Sequence, residues 1–66
     1  MKNNIKIERA RNNFTQAELA ERVGVSRQTI NSIETKKYIP STILALKIAK
    51  EFKMKVDELF VLEESD

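Results

Sequence analysis

Apolar residues recur along most of the chain at spacings of three and four, the interval that returns a side chain to the same face of an α-helix. Only one glycine and one proline interrupt the pattern, so nearly the whole sequence reads as short helices. A first helix is predicted from about Asn4 to Asn12, with a thin apolar face. The second starts at "FTQAEL", where Thr15 can cap, Glu18 follows three positions on, and Phe14 and Leu19 flank the cap as an apolar staple. It continues through Leu19, Ala20 and Val23 to Gly24, which enters a left-handed turn without steric cost and so ends the helix. After a very short turn, Ser26 can cap a third helix, with Val25 and Ile30 as a second staple. Two caps so close together force a tight corner between helices two and three.

"TKKYIP" reads as a loop, because Pro40 disfavours helix at Ile39 and leaves Ser41 as the next cap. From Ser41 to about Phe52 the chain is at its most apolar, with Ile43, Leu44, Leu46, Ile48, Ala49 and Phe52 covering more than one face. This segment is predicted to be the central core helix. "VDELF" adds one or two more turns, and the tail "VLEESD" leaves Val61 and Leu62 without an obvious partner inside the chain. The predicted core stripe is Leu19, Ala20, Val23, Ile30, Ile33, Leu44, Ile48, Phe52, Val56 and Leu59.

Length and composition narrow the function. The 66 residues make one domain, 1–66, with a core over about 5–60, a helix-turn-helix over about 15–34 and a tail at 61–66. A chain of this size barely offsets its own chain entropy, so extra burial through a homodimer is expected. The absence of His and Cys removes the usual thiolate and imidazole metal ligands, disulfides and nucleophiles together, which argues against an enzyme and predicts no metal and no cofactor. The adjacent carboxylates Asp57 and Glu58 fall on a surface helix with no evident pocket. No apolar run approaches the roughly 18 residues of a membrane span, and "MKNNIKIERA" lacks the apolar centre of a secretory signal, so a cytoplasmic location is expected. Met1 to Ile39 carries eight Lys/Arg against four Asp/Glu, whereas Pro40 to Asp66 carries four against six. A polyanion-binding face would produce that asymmetry, and so would an ordinary solvated surface.

The third helix separates these readings further. At about 100 degrees per residue, Gln28, Asn31, Ser32 and Thr35 share one side and Ile30 and Ile33 the other. Its front carries amides, small hydroxyls and Arg27, with no acid before Glu34. Such side chains reach base edges in a major groove: Arg to guanine, Gln or Asn to adenine, Ser or Thr to several bases. A solvated polar face has the same general character, but the tight corner before it matches the way a recognition helix enters DNA by its N-terminal end.

The stretch "TQAELAERVGVSRQTINSIETKKYIPSTILALKIAKEFKMKVDELF" closely resembles the Cro/C1-type, or XRE-type, helix-turn-helix family of phage and bacterial repressors. The resemblance runs from about Ile5 to Phe60 and rests on T-Q-x-E-L-A, G-V-S-R-x-T-I, I-E, a proline before an apolar helix, and D-E-L-F. It implies an all-α, five-helix, lambda-repressor-like domain that binds double-stranded operator DNA as a twofold dimer. It further implies that Arg27, Gln28 and Ser32 read bases and that Gln16 grips phosphate. Arg9 and Glu34 would form a buried ion pair, and the Lys36, Lys37 and Tyr38 loop would border the DNA backbone. Asn31 joins the expected DNA contacts, and Thr29 is expected to brace the corner or touch a phosphate. Glu8 stands where the family commonly has an aliphatic, and Asn13 where a glycine is frequent, although Asn tolerates the left-handed conformation.

Two functions from different classes follow. The first is a sequence-specific transcriptional regulator, a repressor in the simplest case, acting on a palindromic operator. The second is a protein-interaction module, antitoxin-like or adaptor, that uses the same scaffold and engages a partner through "FVLEESD". For the dimer, Val56, Leu59, Phe60, Val61 and Leu62 are the expected contact, with the tail and "KNNIK" as short strands at that interface.

Overall fold

Each predicted cap on helices two, three and four forms. In the computed structural model, which describes Met1–Asp66, Thr15 Oγ1 accepts the Glu18 N–H at 3.0 Å while Glu18 Oε1 accepts the Thr15 N–H at 3.0 Å. Ser26 Oγ accepts the Thr29 N–H at 3.1 Å, and Ser41 Oγ accepts the Leu44 N–H at 3.2 Å. Side-chain oxygens thus accept from first-turn N–H groups that lack the usual i−4 carbonyl partner. The resulting order is β1 (Lys2–Asn3), α1 (Ile5–Asn12), α2 (Gln16–Val23), α3 (Arg27–Glu34), α4 (Thr42–Glu51), α5 (Val56–Leu59) and β2 (Phe60–Val61). Gly24 closes α2 at φ 76°, and Asn13 closes α1 at φ 57° in the same left-handed region.

The two strands pair antiparallel within the chain, Lys2 with Val61 and Asn3 with Phe60. The short terminal strands expected from the sequence thus form, and they pair within the chain, closing its own ends against each other. Beside them the Asn4 N–H donates to the Leu59 carbonyl at 2.9 Å. Asn3 Nδ2 donates to the Ile33 carbonyl at 2.9 Å, which ties the N-terminal segment to the last turn of α3.

Ile5, Leu19, Ile30, Ile33, Ile48 and Leu59 are the large side chains with no appreciable exposure, and Ala20, Val23, Leu44, Ala49, Phe52 and Phe60 complete the core. The predicted stripe is therefore buried except for Val56, which opens α5 on its outer side and is exposed. Two interface assignments are also corrected: Leu59 and Phe60 are buried inside the chain, so neither has surface left for a second copy. The pleat of β2 accounts for the alternation, Phe60 inward and Val61 outward. On α4, Leu44, Ile48 and Ala49 face the core while Ile43 and Leu46 face out, so its apolar excess is a second, uncovered side.

Two further contacts fix α2 and α4. Phe14 stacks obliquely on Phe52 with ring centroids 6.0 Å apart, and the Arg22 guanidinium lies 4.2 Å from the Phe14 centroid before reaching Glu51 at 3.4 Å. Glu8, at the position where an aliphatic is common, is buried with its carboxylate 2.9 Å from Arg11 Nη1. A neighbouring cation is the general condition for burying a charged side chain there.

Candidate nucleic-acid interface

The back of α3 decides where its front points. Ile30 and Ile33 are fully buried, so the opposite side, with Arg27, Gln28 and Asn31, faces solvent. The corner holds that orientation: Gly24 turns the chain, the Val25 N–H donates to the Ala20 carbonyl at 3.0 Å, and Ser26 caps α3. Thr29 adds a brace, because its hydroxyl lies 2.9 Å from Ser26 Oγ.

The expected site residues gather into two adjoining shallow clefts. Gln16, Arg27, Gln28 and Asn31 line one of about 260 Å³. Gln28, Thr29, Ser32 and Tyr38, with Ser26, line the other, of about 310 Å³. Gln28 is common to both, so the surface is continuous across α3 from the start of α2 to the loop before α4. Both clefts are open and lined mainly by residues that carry hydrogen-bonding groups, as direct contact with nucleic acid requires.

Beneath the clefts lies a charged anchor. Arg9 Nε is 2.7 Å from Glu34 Oε2 and Arg9 Nη2 is 3.0 Å from Glu34 Oε1, a bidentate pair between α1 and the end of α3. Arg9 Nη1 also donates to the Phe14 carbonyl at 3.1 Å. Both side chains are largely buried. Gln16 joins them, with Nε2 donating to Glu34 Oε1 at 3.3 Å and to Asn31 Oδ1 at 3.1 Å. Its amide hydrogens are thus directed to Glu34 and Asn31, whereas the expected phosphate grip needs one directed to the DNA.

The loop residues divide. Lys37 and Tyr38 are exposed, and Lys37 forms no ion pair. Lys36 adopts a left-handed φ of 65° and holds Glu63 of the tail at 2.9 Å. Sequence reasoning misses that pairing, since it assigns the tail's apolar residues to an interface and gives its acids no partner; the acids of "VLEESD" are its one signal. Hydrogen bonding to Lys36, with a smaller contribution from the Met1 amine, holds the Glu63 carboxyl below its ordinary value. At the start of α2, the Thr15 backbone N–H, and next its hydroxyl, do the same for Glu18.

With this geometry in view, the comparisons with known proteins are decisive. A family model described as helix-turn-helix matches residues 5–59. The chain belongs to the helix-turn-helix family. It is of the Cro/C1, or XRE, type, a group of DNA-binding transcription regulators and not of enzymes. This helix-turn-helix protein is 52% identical over 66 residues, the full length of both chains, to the uncharacterized HTH-type transcriptional regulator YgzD of Bacillus subtilis. It is equally 52% identical, again over the full length of both chains, to an uncharacterized HTH-type transcriptional regulator of Methanocaldococcus jannaschii. Among solved structures it is similar to the P22 c2 repressor in complex with synthetic operator 9T, at a TM-score of 0.84 and 28% identity over 88% of each chain. The five-helix, lambda-repressor-like architecture expected from the sequence is the one the structure adopts.

Proposed function

We propose that this helix-turn-helix regulator is a repressor that binds a palindromic operator as a homodimer, each protomer laying α3 in the major groove. The observation that carries the reading is the helix itself: an apolar back fully buried in the core and a front of Arg27, Gln28, Asn31 and Ser32 held out by two caps and a glycine turn. The similarity to a repressor solved on its operator supports it. In this reading Arg27, Gln28 and Ser32 contact base edges, Thr29 holds the corner, and Lys37 and Tyr38 meet the backbone beside the groove. Lys36 joins them by exchanging Glu63 for a phosphate. The protein acts where the chromosome is, in the cytoplasm.

One eight-residue helix spans only a few base pairs, so two copies are needed to reach successive major grooves about 34–36 Å apart. We assign the dimer contact to exposed apolar side chains that the core leaves unused: Val56, Val61 and Leu62 near the C-terminus, and Ile39, Ile43 and Leu46 around the start of α4. Repression follows if the operator overlaps a promoter, by occupancy alone. Selection of binding sites from random duplex DNA by the purified protein tests the reading. An enriched site with twofold symmetry is expected, and the absence of any enriched sequence would overturn it.

A further inference from the structure

The buried ion pair, the start of α2 and the front of α3 form one hydrogen-bonded chain, and its chemistry has a direction. Arg9 can only donate and the Glu34 carboxylate can only accept. Glu34 Oε1 lies 3.3 Å from the Gln16 amide, so the atom facing it must be the nitrogen, because the amide oxygen there would oppose a carboxylate oxygen. The same nitrogen lies 3.1 Å from the Asn31 amide, whose facing atom must then be the oxygen. Turning either amide over sets donor against donor or oxygen against oxygen. Polarity fixed at Glu34 is thereby transmitted through Gln16 to Asn31, which turns its oxygen to Gln16 and leaves its NH₂ group for the DNA.

We propose that Asn31 is a donor-only reader whose polarity is set by Gln16 and Glu34, and that it therefore recognises guanine and not adenine. Bidentate recognition of adenine needs one donor and one acceptor from the same amide, to N7 and to the 6-amino group. The Asn31 oxygen is turned away to Gln16, so that pair is not available. Guanine presents two acceptors side by side, N7 and O6, and an NH₂ group suits both. Gln16 is on this account a positioning residue, acting on the base through Asn31. Arg9 and Glu34, otherwise a structural pair, contribute to sequence choice without nearing the DNA.

The inference rests on the proposed reading of DNA by α3, and the test separates the two. Binding sites are selected in parallel with the wild-type protein, Asn31→Ala and Gln16→Leu. Asn31→Ala should flatten the preference at one base pair of each half-site. In the wild type that pair should carry guanine over adenine by about tenfold, the scale of one well-placed base contact. Gln16→Leu leaves the Arg9 and Glu34 pair in place but frees the Asn31 amide to turn over. The guanine-to-adenine ratio at that pair should then fall toward one while the pair lost in Arg27→Ala stays as before. Adenine at the Asn31-dependent pair of the wild type overturns the proposal, as does an unchanged ratio in Gln16→Leu or an Asn31→Ala protein that loses no preference. The wild-type and Asn31→Ala selections decide the matter even if Gln16→Leu does not fold. No enriched site with the wild-type protein would instead overturn the functional reading beneath it.

Discussion

At the scale of single residues, similar side chains do different work according to what lies behind them. Arg9 and Arg27 have the same chemistry, but Arg9 is buried against Glu34 and Arg27 stands in an open cleft. Removing one partner of a buried pair leaves a charge uncompensated, so Arg9→Ala should lower unfolding free energy by about 3–5 kcal/mol. Denaturant unfolding checks this, and an unchanged midpoint would contradict it. The two loop lysines should also differ. Lys37 is unpaired, and Lys37→Ala should reduce the slope of log affinity against log salt by about one. Lys36 must first release Glu63, so Lys36→Ala should change that slope less. Salt titrations of the two variants on one DNA fragment compare them directly.

At the scale of elements, the caps were legible in the sequence because each is a local event. Thr15 with Glu18, Ser26, Ser41 and Gly24 need no knowledge of distant parts of the chain, and all four form as read. Thr15→Ala should cost about 1 kcal/mol, read as a lower midpoint in denaturant. The cap also sets a pH dependence. The Thr15 backbone N–H, and then its hydroxyl, lower the Glu18 carboxyl in the folded chain. A lowered carboxyl contributes stability above its unfolded value and loses that contribution as pH falls toward the folded value. Glu63 and Asp66 are lowered likewise, Asp66 mainly by the Glu63 backbone N–H. Melting temperature should therefore fall from roughly pH 5 to pH 3, and Glu18→Gln should make that fall shallower. An unaltered slope would show that the cap does not contribute to it.

At the scale of the whole molecule, the sequence revealed less, and the reason is the range of the contacts involved. Periodicity showed that α4 has more apolar surface than one face can bury, but not which side meets the core. The structure buries Leu44, Ile48 and Ala49 and leaves Ile43 and Leu46 out. Leu59 and Phe60 read as interface because nothing in a four-residue turn shows that the N-terminal segment returns to pair beside them. The interior was easier to read than the ends, since only Val56 of the predicted core stripe lies outside. The site had the same division. Arg27, Gln28, Asn31 and Ser32 were visible from helical spacing, while the link from Gln16 to Asn31 spans fifteen positions and requires the corner to be built. The exposed apolar residues carry a prediction of their own. If the proposed dimer forms through them, Leu62→Glu and Ile43→Glu should each give a monomer in sedimentation where the wild type is dimeric, and a variant that stays dimeric removes its residue from the contact.

The proposed function has α3 read sequence while its surroundings hold it in place. Its most direct test is the affinity of Arg27→Ala and wild-type protein for the selected operator and for a scrambled duplex of equal length and charge. The account predicts that the substitution weakens operator binding by about 1–3 kcal/mol beyond any loss on scrambled DNA, so the specificity ratio collapses. An equal loss on both duplexes would contradict it.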